Sequence, residues 1–255
     1  MQAKKWALVT GASAGIGQAT AKLLWQQGYS LILTARREDR LQEFERSLKV
    51  ERPQQEVVLG VFDLSQRGKV EAFCKSHNKY LSQLEVLVNN AGLARGVEKV
   101  PEAKLDDWDQ MIDTNIKGVF YLTRFISEKM LKNKAGTIVN LGSVAGRWTY
   151  PGGAVYCATK HAVKAFSEGL RMDLLGSGVR VVNIEPGMVE TEFSQVRLQD
   201  EFKAKLVYAG MKPLTAEDIA ETILWSIQRP KHVNIQELVI FPTDQASVRD
   251  VHRTV

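Results

Sequence analysis

Cysteine is scarce in this chain: 255 residues contain only Cys74 and Cys157. One pair cannot build the disulfide framework of a small secreted fold, and neither residue sits at a metal-ligating spacing. Free thiols in a reducing cytoplasm are the expectation. Histidine is nearly as rare, and His77, His161, His232 and His252 include no pair at ligand spacing, so no metal site is expected. Apolar runs are short: none approaches the roughly 18 residues of a membrane span. Met1 to Lys5 lead straight into an apolar strand without a signal-peptide core. Basic runs are missing too. A net charge of +5 is spread along the chain, which argues against a nucleic-acid partner yet suits a small anionic cofactor or substrate.

What is present is an alternation of strand and helix. With 44% hydrophobic and 25% charged residues the chain can fill a sizeable core, and 1–255 reads as one α/β domain. Trp6 to Thr10 is an apolar run that meets Gly11-Ala-Ser-Ala-Gly15-Ile-Gly17, and a helical pattern follows as far as Gly28. Glycines let a backbone approach a diphosphate, and the helix start offers unpaired N–H groups, although such turns also serve as plain connectors. A strand over Leu31–Ala35 ends at Arg36-Arg37. In a doubly wound fold an acid at that place binds the ribose hydroxyls, whereas arginine accommodates a 2′-phosphate, so the pair favours NADP over NAD.

A helix over Asp39–Val50, a strand over Val57–Phe62, and Asp63-Leu64 come next, the acid placed to accept from an adenine amino group. Ser65 reads as the N-cap of a helix reaching about Ser82. A fourth strand from Val86 runs into Asn89-Asn90-Ala91-Gly92. Asp106 to Lys132 reads as one long helix with Asn115 inside it, an unfavourable interior residue. Thr137–Leu141, Val179–Ile184 and Leu238–Phe241 complete seven strands, with helices over Ala154–Leu175 and from Thr215 to Gln228 between them. Met188–Gln199 has the mixed composition of a mobile segment, extended to 188–212 as a substrate lid, and Pro242–Val255 is a polar tail. The β-α-β rules make the whole a doubly wound parallel seven-stranded sheet with helices on both faces. Gly11, Arg36, Asp63, Asn90, Ser143 and Pro186 then all fall at the strands' carboxyl ends, where such sheets bind ligands.

The stretch from Ser143 to Lys160 carries the chemistry. Tyr156 and Lys160 are four apart on a helical pattern and share a face. A neighbouring ammonium favours phenolate, which makes the pair a general acid/base, and the Ser143 hydroxyl could hydrogen-bond a substrate oxygen.

Taken in order, Thr10-Gly-x-x-x-Gly15-x-Gly17, Asn89-Asn-Ala-Gly92, Asn115, Ser143 with Tyr156-x-x-x-Lys160, and Pro186-Gly187 resemble the short-chain dehydrogenase/reductase family over almost the whole chain. The resemblance implies a Rossmann-type fold and hydride transfer to or from NADP. It implies Tyr156 as acid/base, Ser143 orienting the substrate oxygen, Lys160 on the nicotinamide ribose and Asn115 holding a relay water. Gly11, Ser13, Gly15 and Ile16 would cradle the diphosphate. Asn90, Ala91 and Gly92 would lie along the nucleotide, and Pro186, Gly187, Val189 and Thr191 would line the nicotinamide end. Tyr150-Pro-Gly-Gly-Ala-Val-Tyr156, Asn183-Ile-Glu-Pro-Gly187, Thr191-Glu-Phe-Ser-x-Val-Arg197 and His232-Val-Asn-Ile235 are similar to the NADP-dependent 3-hydroxy acid dehydrogenase branch, whose members act on serine and allo-threonine and are commonly homotetramers joined through the two long helices. A carboxylate substrate needs a cation, and Arg147 and Arg197 are the candidates. A carbonyl or 3-oxoacyl reductase, and a nucleotide-sensing protein without turnover, are the rival readings.

Overall fold

In the computed structural model, residues 4–254 are described. Met1–Ala3, part of the lead-in read as lacking a signal sequence, and Val255 at the end of the tail lie outside them. The strands are β1 (Trp6–Thr10), β2 (Ser30–Ala35), β3 (Val57–Val61), β4 (Leu84–Asn89), β5 (Gly136–Leu141), β6 (Val179–Pro186) and β7 (Glu237–Ile240). They form one sheet in the order β3-β2-β1-β4-β5-β6-β7, every pairing parallel. The helices are α1 (Gly15–Gln26), α2 (Glu38–Glu51), α3 (Arg67–Ser76), α4 (Asn78–Leu81), α5 (Leu105–Ile112), α6 (Val119–Asn133), α7 (Ala154–Asp173), α8 (Phe193–Leu198), α9 (Glu201–Leu206) and α10 (Ala216–Ile227).

Successive strand side chains point to opposite faces, so strands covered by helices on both sides read as unbroken apolar runs. Ala7 and Val9 on β1 pack with Leu24 and Trp25 of α1, Leu41 of α2 and Ile219 of α10. Trp6 and Leu8 pack on the other side with Val70 of α3 and with Leu122 and Ile126 of α6. Removing a side chain such as Leu87, wholly buried in the second layer, would forfeit about 2–5 kcal/mol. The strand order reverses between β1 and β4. Asn90 bridges that gap: its backbone N–H and that of Ala91 donate to Thr10 Oγ1 (3.0 and 2.9 Å), and its amide donates to the Thr10 carbonyl at 2.9 Å.

Two local expectations are corrected. Asp106–Lys132 is not one regular helix: Asp113–Gly118 between α5 and α6 is a π-helical turn. The helix after β3 starts with Gln66 as its N-cap and divides at His77. Ser65 instead donates its backbone N–H to Asp63 Oδ1 at 2.9 Å, a local turn that draws it away from the cap. The segment read as a lid, 188–212, carries α8 and α9, which meet at left-handed Gln199.

Gly17 lets α1 sit on the end of β1, because a methyl there would lie 2.5 Å from the Gly11 carbonyl oxygen and closer still to the Asn90 amide. Gly17→Ala should therefore cost about 1–3 kcal/mol by overpacking. Gly68→Ala, in open space near the start of α3, should instead gain up to about 1 kcal/mol through helix propensity. Thermal melts of both variants against the parent check the pair, and equal melting temperatures would refute the close approach.

Candidate active site

The site is built from the carboxyl ends of β1 to β6. After β1, Gly11 and Gly15 adopt left-handed backbone (φ +66° and +54°) that a side chain would strain. The N-cap of α1 is Ala14, which offers no side-chain cap, and the first turn contains no acid. Its N–H groups are thus free to face an anion, with Ser13 beside them and Ile16 packed down onto the core. After β2, Arg37 directs Nε and Nη2 at Ser13 Oγ (3.2 and 3.1 Å) and Nη1 at Glu192 (2.8 Å). Glu192 also binds Arg40, so burial, which would raise its pKa, is outweighed and the carboxyl is held below its ordinary value.

Arg36 is more exposed and lies 3.7 Å from Asp63. Burial pushes the Asp63 carboxyl up, but the Ser65 hydrogen bonds and Arg36 bring it below the ordinary range. The turn at Ser65 occupies Oδ1 of Asp63, and Arg36 stands beside Oδ2. Leu64 follows beneath Gly118, whose missing side chain lets the π turn approach the Leu64 backbone.

The opposite wall is a buried polar cluster. Asn115, in the π turn, accepts from the Leu93 N–H (2.8 Å) and donates to the Leu93 carbonyl (2.8 Å) and to Thr159 Oγ1 (3.1 Å). Thr159 donates onward to the Tyr156 carbonyl at 2.7 Å. Gly92 leaves room here, since a methyl on it would lie 3.2 Å from Asn115 Oδ1 and 3.7 Å from Lys160 Nζ. Lys160 donates to the Leu141 carbonyl at 2.7 Å and stands 5.9 Å from the centre of the Tyr156 ring. Ser143, just past the end of β5, lies close enough to the Tyr156 phenol to favour its ionised form. The three side chains proposed from the spacing are therefore together.

Their electrostatics differ from the expectation. Burial drives the Tyr156 phenol well above its ordinary value, the Tyr150 phenol adds to this, and the Ser143 hydroxyl and Arg197 oppose it. Burial of Lys160 lowers its pKa to about 8, because a desolvated ammonium is costly.

The two arginine candidates separate. Arg147 is committed to carboxylates, with Nε on Glu185 and Nη2 on Glu237, and is corrected as a substrate cation: its charge is already neutralised. Arg197, on α8, lies 5.8 Å from the Tyr156 ring centre and 5.4 Å from that of Tyr150. It donates to the Gly96 carbonyl (3.0 Å), the Tyr150 hydroxyl (2.9 Å) and the Gly152 carbonyl (3.2 Å), none of them anionic. A guanidinium carries five N–H groups, so one on each terminal nitrogen stays free. Leu93, Ala94, Met111 and Ala145 supply apolar walls beside Tyr156.

At the remaining strand end, Gly187 donates to the Ile240 carbonyl at 2.7 Å, directly after Pro186. The Val189 carbonyl accepts from Tyr208 Oη at 2.8 Å, and Thr191 lies against Gly15, 3.3 Å from where a methyl would stand. Thr159 and Arg40 escaped the motif reading, and Tyr150 and Glu192 were quoted within motifs without a site role. For Tyr150 a signal existed, an aromatic residue within the Tyr-Pro-Gly-Gly stretch before Tyr156; a partner more than 150 positions away gives Glu192 none. Among the described residues, no cluster of His, Cys, Asp and Glu could hold a metal ion, and no helix is long and apolar enough to cross a membrane.

A parallel sheet whose strand ends converge on a Ser-Tyr-Lys group and a nucleotide cradle defines a dehydrogenase, and this chain belongs to the short-chain dehydrogenase family, whose profile matches residues 5–201. It is 43% identical over 249 residues to NADP-dependent 3-hydroxy acid dehydrogenase YdfG of Escherichia coli O6:H1, covering 96% of this chain and 98% of that one. Serine 3-dehydrogenase of Agrobacterium fabrum is 42% identical over 241 residues, 94% of each chain. The structure of a closed serine dehydrogenase in complex with NADP+ superposes with a TM-score of 0.91 at 42% identity, covering 98% of this chain and all of that one.

Lys160 offers a direct test of the buried cluster. Its proton is held to about pH 10.5 in the unfolded chain and only to about 8 in the folded one. Below about pH 8 the buried charge opposes folding, and between those values the folded chain sheds the proton first, so stability from this group rises with pH. Lys160→Met should thus melt higher than the parent by a margin that is largest near pH 7 and shrinks toward about pH 9.5. A margin that stays constant would refute the buried-ammonium assignment.

Proposed function

We propose that the protein catalyses reversible hydride transfer between NADP(H) and the carbinol carbon of a 3-hydroxy acid of the serine or allo-threonine kind. The observation that carries this is Arg197: a guanidinium with two unengaged N–H groups, hydrogen-bonded to no carboxylate, 5.8 Å from the centre of the Tyr156 ring. Its plane suits two-pronged binding of a substrate carboxylate.

The cradle fits the cofactor. The uncapped α1 start and left-handed Gly11 and Gly15 suit a diphosphate, with Asn90 and Ala91 along the nucleotide, and Ser13, Arg36 and Arg37 suit a 2′-phosphate. When bound, the nicotinamide accepts or returns the hydride. The protein's part is orientation and proton transfer. Ser143 holds the substrate oxygen against Tyr156, whose phenolate takes the hydroxyl proton during oxidation and whose phenol gives one back during reduction. Lys160, partly neutral above about pH 8, can accept a proton released at Tyr156 and lose it to solvent through a water held at Asn115.

The 188–212 segment acts in this reading as the lid, because α8 carries Arg197 over the site and Glu192 reaches Arg37 and Arg40. Two buried, unpaired thiols suit a cytoplasmic protein, and burial lifts Cys74 to about 12. The outward faces of α6 and α7, where Phe120 and Phe166 stack at 4.1 Å, suit a homotetramer. A second reading, reduction of neutral ketones, is favoured by the apolar walls around Tyr156.

The test follows NADPH absorbance with L-serine, L-allo-threonine, 3-hydroxybutyrate and neutral ketones. Tyr156→Phe should lose about 10²- to 10⁴-fold in kcat while still binding NADPH. An active Phe variant would overturn the acid/base assignment. Arg197→Met should lower kcat/KM for hydroxy acids by about 10- to 100-fold and spare neutral ketones. Equal losses on both would favour the ketone reading.

A further inference from the structure

We propose that Arg147, Glu185, Glu237 and Lys164 form a four-charge clamp that fixes the Ser143 turn against the helix bearing Tyr156, with Arg147 and Glu185 as positioning residues. The inference rests on the role given above to Ser143.

Ser143 begins a short 3-10 turn, Val144–Gly146. Its hydroxyl accepts from the Ala145 N–H at 3.1 Å, and the Gly146 N–H donates to its carbonyl at 2.8 Å. Gly146 presses on α7, since a methyl on it would lie 2.8 Å from the Lys160 carbonyl oxygen. The turn closes with the Arg147 N–H on the Val144 carbonyl at 3.0 Å, and Arg147 is its one charged residue. From there the guanidinium reaches two strands at once: Nε binds Glu185 at the end of β6, and Nη2 binds Glu237 on β7. Lys164 closes the circuit 3.7 Å from the other oxygen of Glu237, and it sits one helical turn beyond Lys160 on α7.

Glu185 is wholly buried, and its second oxygen accepts from the Asn183 amide at 2.7 Å. A buried carboxylate is tolerable only with its partners in place, so Glu185 holds Arg147 at one position rather than a range of them. The two cations and two anions balance. Ion pairs of this kind contribute little net stability against an apolar replacement, and what they supply is geometry. Glu185 also precedes Pro186, so a single residue joins the Ser143 turn to the strand end expected at the nicotinamide.

The test compares Arg147→Met, Arg147→Lys, Glu185→Gln and the Met/Gln double variant, each in the full chain. With NADPH binding retained, kcat should fall about 10- to 100-fold in Arg147→Met and Glu185→Gln, as expected for a displaced orienting group, and the KM for NADPH should stay within about twofold. The loss should be equal on 3-hydroxy acids and neutral ketones, smaller in Arg147→Lys, and no greater in the double variant than in the worse single one. A loss confined to carboxylate substrates would return Arg147 to substrate binding and overturn the clamp, as would losses that multiply in the double variant.

Hydrogen exchange gives a reading independent of turnover. The amides of 143–149 should exchange at least about tenfold faster in both single variants while α7 is unchanged, and unchanged protection would overturn the proposal. Should Arg147→Met fail to fold, Glu237→Gln serves in its place. A parent protein inactive on every substrate would refute the proposed function alone, with exchange still deciding the clamp.

Discussion

The arrangement around Tyr156 depends on one buried amide. Asn115 must satisfy its hydrogen-bonding groups away from water, and it does so on the backbone of Leu93 and the hydroxyl of Thr159. Those partners belong to the loop after β4 and to α7, so one side chain sets the spacing between two walls of the site. A regular α-helix over 113–118 would carry different backbone rise and side-chain direction through this point. The π turn brings the amide between both walls, and its cost in helical geometry is offset by bonds that would otherwise be missing.

Burial governs the chemistry in a second way. It raises Tyr156 and lowers Lys160, and both shifts favour the uncharged forms. The phenolate–ammonium pair must therefore form against the burial of both groups. Ser143 and Arg197 are the groups that favour phenolate here, and they arrive from β5 and from α8. A proton leaving Tyr156 is thus coupled to the placement of two elements outside its own helix.

Much of this was legible in the sequence, for a physical reason. Parallel strands buried on both faces are continuous apolar runs, and the residues ending them are polar or glycine because backbone meets ligand there. Gly11, Arg36, Asp63, Asn90, Ser143 and Pro186 are all found where that pattern puts them. The break at 113–118 was not legible, since apolar spacing continues through it and Asn115 was its only mark. Arg147 and Arg197 look alike in sequence. What separates them is the identity of their partners, two carboxylates in one case and two carbonyls with a phenol in the other, contributed by residues distant along the chain.

The Glu192 carboxylate lies between Arg37 and Arg40, at the edge of the proposed phosphate cradle. The protein thereby carries its own counter-ion. A phosphate arriving at Arg37 would meet a cation that already shares one carboxylate with Arg40, and its binding becomes in part an exchange of anions. Such an exchange releases few mobile ions, so affinity would depend only weakly on ionic strength. The displaced carboxylate belongs to the chain that leads into α8. A phosphate that displaced Glu192 would therefore act directly on the start of the helix that carries Arg197.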